Sequence, residues 1–217
     1  MRTNKKLRVA TGIGVFSALA FITTLICKLI PSVGGFLSLD AKDAVIAIAS
    51  FIYGPIAAPI ISVIVAFVEF ITISETGWYG LVMNIASSAT FSLVASLIYK
   101  HMRSFNGAII GFAAAIASTT SVMLLLNIFI TPLYFGFPRT VIYDMLPSLI
   151  LPFNFAKTLL NSAIALLLYK PVINALRAAG LVAKSNYKTA FNRSSILTLI
   201  IGGVSLLAAL ILLLVIW

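Results

Sequence analysis

The sequence predicts an all-α protein embedded in a lipid bilayer, and three observations carry that prediction. Of its 217 residues 61% are hydrophobic and only 9% charged, with a mean hydropathy of +1.14. A soluble domain carries roughly a quarter of its residues charged, so this chain lacks the polar coat that water demands. Its apolar stretches are continuous rather than alternating, which selects helices over the strands of a barrel. At about 20 residues per span, the length accommodates about six or seven of them.

The first helix is expected from Val9 to Ile30, behind the basic start Arg2, Lys5, Lys6 and Arg8. A signal peptide opens similarly, but this run is long, lacks a persuasive small-residue cleavage site and leads into further spans. Pro31-Ser32-Val33-Gly34-Gly35 ends it, and a loop follows to about Asp43. The apolar stretch from Ala44 to Ile73 breaks at Gly54-Pro55, giving a short second helix and a third that holds Pro59 and Glu69. Ser74-Glu75-Thr76-Gly77 makes a turn. The fourth helix runs from about Trp78 to Tyr99 and the fifth from about Gly107 to Ile130. Thr131 to Pro147, with Pro132, Pro138 and Gly136, reads as a loop with room for one helical turn. The sixth helix spans about Leu149 to Leu168 and extends toward Leu176. A basic linker with Arg177, Lys184, Lys188 and Arg193 precedes a last apolar helix, Ile196 to Trp217.

Charge sets the expected orientation. The N-terminus, the Lys100-His101-Arg103 cluster and the Lys170 to Arg193 stretch fall on one side if six spans precede the linker, which makes that side cytoplasmic. Asp40, Lys42, Asp43, Glu75, Arg139 and Asp144 lie on the other side and nearly cancel. The last helix then leaves Trp217 outside. The net charge of +10 is spread around apolar spans rather than gathered in one patch, so no nucleic-acid partner is expected.

Polar residues at membrane depth are costly unless they face the protein interior or a cavity. Asn154 and Lys157, three apart in Pro152-Phe153-Asn154-Phe155-Ala156-Lys157, share a helix face, and Asn161 continues it one turn on. An amide beside an ammonium suits a ligand rich in hydroxyls and carbonyls. The bland alternative has Asn154 bridging helices and Lys157 reaching outward to water. Asn127 and Asn84 admit the same two readings, ligand contact or interhelical hydrogen bonding. Glu69 is either a proton-coupling group, a salt-bridge partner or a residue near the outer interface. For Asp40, Lys42 and Asp43 a solvated loop face is the default. Ala10, Gly14 and Ala18, at spacing four, allow another helix to approach, either within the chain or from a partner.

Cys27 is the single cysteine and His101 the single histidine, so a disulfide framework and a Cys-rich metal site are excluded, and no metal is expected. There is no Walker A loop, no His-Glu-x-x-His and no Gly-x-Ser-x-Gly with a histidine partner. Self-powered pumping and the familiar membrane hydrolases drop out with them.

Leu39-Asp40-Ala41-Lys42-Asp43-Ala44-Val45-Ile46, Phe51-Ile52-Tyr53-Gly54-Pro55, Ser74-Glu75-Thr76-Gly77, Met83-Asn84, Asn127 with Ile130-Thr131-Pro132-Leu133-Tyr134, and Leu151 to Lys157 together form a pattern. It resembles the substrate-binding S components of energy-coupling-factor (ECF) vitamin transporters, most closely the riboflavin-specific branch, over about Leu7 to Leu176. The resemblance implies a six-helix binding domain over residues 1–176, and here a basic cytoplasmic linker at 177–193 and an additional transmembrane helix at 194–217 follow it. It implies that Asn127, Asn154 and Lys157 contact a flavin, with Asn84 and the first loop (Phe36, Leu37, Ser38, Leu39 and Asp40) nearby. Riboflavin, or FMN, would be cargo rather than cofactor, taken up through a prokaryotic cell membrane. Ala10, Gly14 and Ala18 would dock onto a transmembrane coupling subunit bearing two ABC-type ATPases, and delivery would proceed by toppling in the bilayer. The alternatives are the same fold carrying another vitamin or precursor, and a membrane-embedded enzyme.

Overall fold

A computed structural model describes residues 5–136, 138–178 and 193–216. Arg2, residues 179–192 of the basic linker and Trp217 lie outside them. Among the described residues eight α-helices follow in chain order: α1 (Lys5–Cys27), α2 (Lys42–Tyr53), α3 (Ala57–Thr72), α4 (Gly77–Met102), α5 (Phe105–Phe135), α6 (Arg139–Met145), α7 (Leu151–Ala178) and α8 (Arg193–Ile216). Five described segments are long and apolar enough to cross a membrane: Lys6–Cys27, Gly77–Met102, Phe105–Phe135, Arg139–Ala175 and Ile196–Ile216. Leu19, Ile22, Phe67, Leu125, Phe129, Leu207 and Leu214 point outward, a surface that lipid solvates and water does not.

The helix ends follow from local chemistry. Gly54 closes α2 at φ +103, a value an L-residue rarely adopts, and donates its N–H to Ser50 O. Ser104 starts α5 by accepting from the Gly107 N–H. Helix α5 continues through Pro132 to Phe135, five residues beyond the expected end at Ile130, before Gly136 stops it at φ +68. Thr131 to Pro147 is therefore mostly helical. A π-helical turn, Leu146–Ile150, joins α6 to α7, so the sixth expected span starts as a bent continuation of α6 rather than afresh at Leu149.

Helix α2 is the hub, packing against α1, α3, α4 and α7. At 12 residues it is about 18 Å long, too short to cross a bilayer. It still reaches Tyr99 and Tyr169, near the Lys100 end of the bundle, because the loop before it dips into the bundle. There Asn161 of α7 donates to Asp40 O (2.9 Å) and accepts from Ala44 N–H (2.8 Å), satisfying backbone groups that the helix start leaves open. The inner half of the bundle is solid: Phe51 stacks on Tyr99 at 4.3 Å, Phe91 packs on Phe112, and the Tyr99 and Tyr169 hydroxyls share a hydrogen bond.

Helices α4 and α5 approach closely at Gly111, where a Cβ would stand 2.8 Å from Ala95 O. Backbone cannot yield as a flexible side chain can. Gly111→Val is expected to destabilise the fold by about 1–3 kcal/mol, read as a lower Tm in detergent. Gly203→Ala, with open space around its added carbon, should leave Tm unchanged. Equal Tm for both variants would contradict the close approach.

Candidate functional site

The packing loosens toward the end of the bundle remote from Lys100 and Arg103. There the last turns of α1, α3 and α5 and the first turns of α2, α4 and α7 surround a cavity of about 290 Å³, the size of a small-molecule site. The first outer loop forms one wall through Phe36, Leu37, Ser38, Leu39 and Asp40. Asn84, Asn127, Asn154 and Lys157 line the others, so all nine sequence-nominated residues meet at one place. Phe70, Met83, Met123, Phe135 and Phe153 supply apolar surface between them.

An ion cluster forms the cavity floor. The Lys42 ammonium donates to both Glu69 oxygens (2.9 and 2.8 Å) and lies 3.7 Å from Asp40 Oδ2. Lys157 donates to that same Oδ2 at 2.8 Å. Glu69 also accepts from Thr24 Oγ1 (3.0 Å) and Asn84 Nδ2 (2.9 Å), which accounts for its remaining lone pairs. Lys42 is 2% exposed, Asp40 4% and Glu69 4%. The expectation of a solvated face for Asp40, Lys42 and Asp43 is thus overturned. The loop carries Asp40 into the bundle, Lys42 and Asp43 begin α2, and Asp43 accepts a hydrogen bond from Ser88. Glu69 resolves to a salt-bridge partner, and Lys157 turns inward rather than toward water.

The amides occupy distinct situations. Asn154 Nδ2 donates to Ile150 O one turn back, leaving its Oδ1 available to the cavity it lines. Asn127 donates to Met123 O and accepts from Thr131 Oγ1. Asn161 does not line the cavity: it secures the start of α2, so the face shared with Asn154 and Lys157 divides into cavity-lining and structural positions. Asp40 Oδ1 is buried without a protein partner. A buried acceptor in that state costs free energy. Lys42 and Glu69 were missed as site residues because Lys42 reads as part of a charged loop, Glu69 admits three readings, and neither reveals the other in sequence.

At the opposite end, Ala10, Gly14 and Ala18 of α1 all face outward, and a Cβ on Gly14 would meet nothing within 4 Å. Among the described residues no group of three or more His, Cys, Asp or Glu side chains is arranged to hold a metal.

A family model described as the substrate-specific component of an ECF transporter matches residues 8–173. The chain is 32% identical over 183 residues to the riboflavin transporter RibU of Staphylococcus aureus (strain TCH60), covering 82% of this chain and 95% of that protein. It is 25% identical over 186 residues to the riboflavin transporter FmnP of Bacillus subtilis (strain 168), covering 80% and 98%. A solved structure described as the S component of a bacterial ECF transporter superposes with a TM-score of 0.69 at 29% identity, covering 80% of this chain and 99% of that one.

Removing one member of a buried ion pair leaves the other charge uncompensated. Lys42→Met is expected to cost about 3–5 kcal/mol through stranded Glu69, seen as a large fall in Tm. The double variant Lys42→Met/Glu69→Met should recover much of that loss. A double variant no more stable than the single one would show that the two side chains are not coupled.

Proposed function

The chain belongs to the substrate-specific component family of ECF transporters, and on that premise we propose that it captures riboflavin, or a closely related flavin, outside the cell for delivery inward. Membership in this family places it among binding subunits rather than enzymes, in a multi-pass membrane protein. The names of its relatives RibU and FmnP favour a flavin. So does the chemistry of the cavity.

An isoalloxazine ring is flat and largely apolar, with carbonyl and imide edges, and its ribityl chain carries hydroxyls. The cavity pairs Phe and Met surfaces with a few fixed polar groups. The observation that carries the reading is the convergence of Asn84, Asn127, Asn154 and Lys157 on one largely apolar cavity. Asn154 Oδ1 offers an acceptor to an imide N–H, and Asn84 and Asn127 hold amides at the remaining walls. Phe36, Leu37, Ser38 and Leu39 cover the ligand from the loop side. Lys157 holds Asp40 in place and adds a donor beside it.

The basic helix ends lie opposite the cavity, which supports a cytoplasmic N-terminus and a cavity open to the exterior. The outward stripe Ala10, Gly14 and Ala18 lets a coupling helix approach α1. Docking there, on a coupling subunit driven by two ATPases, would topple the protein and turn the cavity inward.

Purified protein should carry a yellow ligand with flavin absorbance and mass, and added riboflavin should lose fluorescence on binding. Asn154→Ala should weaken that binding tenfold or more, equivalent to about 1.4 kcal/mol. Unchanged affinity would remove Asn154 from the site. Gly14→Leu should abolish riboflavin uptake by cells while leaving purified binding intact, and normal uptake by that variant would defeat the docking role.

A further inference from the structure

Helix α8 lies beyond the matched residues 8–173, and the binding role proposed above makes no use of it. Its buried positions Thr198, Gly202, Ala209 and Leu213 follow one helical face, and α8 packs along α7. Contact is tight at Gly202, where a Cβ would lie 2.9 Å from Leu167. The rest of α8 is almost uniformly apolar and faces lipid.

The two halves of α8 touch different parts of the molecule. Ile201, in the inner half, packs against the inner core that includes Ala165 and Leu166. Ala209 and Leu213, in the outer half, belong to a separate buried cluster with Val33, Leu37 and Leu39 of the first outer loop and Phe153 of α7. Leu37, Leu39 and Phe153 are themselves cavity wall. The outer half of α8 therefore stands directly behind that wall.

The loop also touches the bundle through Phe36, which packs edge-on against Phe135 of α5, and through Gly34, which lies against Leu149. Its Val33 and Leu37 backbones bond to each other at 2.9 and 3.0 Å, closing the loop on itself rather than on the bundle. Between Pro31 and Leu39, the side chains buried against α7 and α8 are Val33, Leu37 and Leu39, each under 9% exposed. Without Ala209 and Leu213, part of that apolar surface would lose its protein partner.

We propose that α8 is a brace: its outer half positions the first outer loop and Phe153, and so sets how long the ligand stays in the cavity. Ala209 and Leu213 are positioning residues that act through Leu37, Leu39 and Phe153. Loosening a wall around a bound ligand speeds departure more than it slows arrival. The proposal rests on the flavin reading for its kinetic consequence, though not for its structural one.

The test uses the full chain in lipid nanodiscs. Stopped-flow quenching of riboflavin fluorescence gives kon and koff, and hydrogen exchange of residues 28–41 is followed in ligand-free protein. Leu213→Ala should raise koff roughly fivefold or more, change kon less, and speed exchange in the loop. Ile201→Ala, on the same helix but against the inner core, should leave both readouts near those of the unaltered protein. Wild-type koff and loop exchange in Leu213→Ala would overturn the brace. So would an Ile201→Ala variant that raised both equally, since α8 would then act only as general packing. If the unaltered protein binds no flavin, the flavin reading fails, while loop exchange still decides whether α8 braces the loop.

Discussion

The outer half of this protein depends on one buried ion cluster. Asp40, Lys42, Glu69 and Lys157 come from the first loop, α2, α3 and α7, and each is nearly removed from solvent. Charges in that setting tolerate one another only as a set, because desolvation penalises any member left alone. The cluster therefore ties four separate chain segments to a common point. Asp40, Lys42, Glu69 and Lys157 also line the cavity, together with the amides and the loop wall. The cost of such a cluster in a bilayer protein makes sense where a polar ligand must be held.

A second constraint divides the molecule along its axis. The half that ends at Lys100 and Arg103 is filled by stacked aromatics and close helix contacts, while the opposite half holds the cavity. The short helix α2 reconciles the two. Its loop descends into the bundle, Asn161 satisfies the exposed backbone there, and the volume that a full-length helix would have filled becomes cavity. Irregular backbone at this depth is permitted only when protein or a cavity surrounds it, and here both do. The result is a mostly apolar chamber with a few fixed polar groups.

Parts of this were legible in the sequence because membrane proteins punish misplaced polarity. Asn154 and Lys157 stand out in an apolar helix, and an inward orientation follows from the cost of any other. The breaks at Gly54-Pro55 and Pro31 announce themselves through backbone chemistry. Asp40, Lys42 and Asp43 misled for the opposite reason: three charges in a loop look like a solvated surface. Lys157 and Asn161, which show that they are buried, lie more than a hundred positions away. The run Thr131 to Pro147 misled as well. Proline near a helix end removes one hydrogen bond, and the tertiary contacts of α5 sustain the helix past it.

Composition and hydrophobic continuity determined by themselves that this chain is helical and membrane-embedded, because lipid and water impose opposite demands on surface side chains. The basic clusters and the polar residues within apolar runs also marked, from sequence alone, which end of the bundle to inspect. Tertiary structure decided the rest: that Lys42 grips Glu69, that Asn161 holds a helix start rather than a ligand, and that α8 stands behind the loop wall. Those are pairings between residues distant along the chain, and a distance closed by folding leaves no mark on either partner's local sequence.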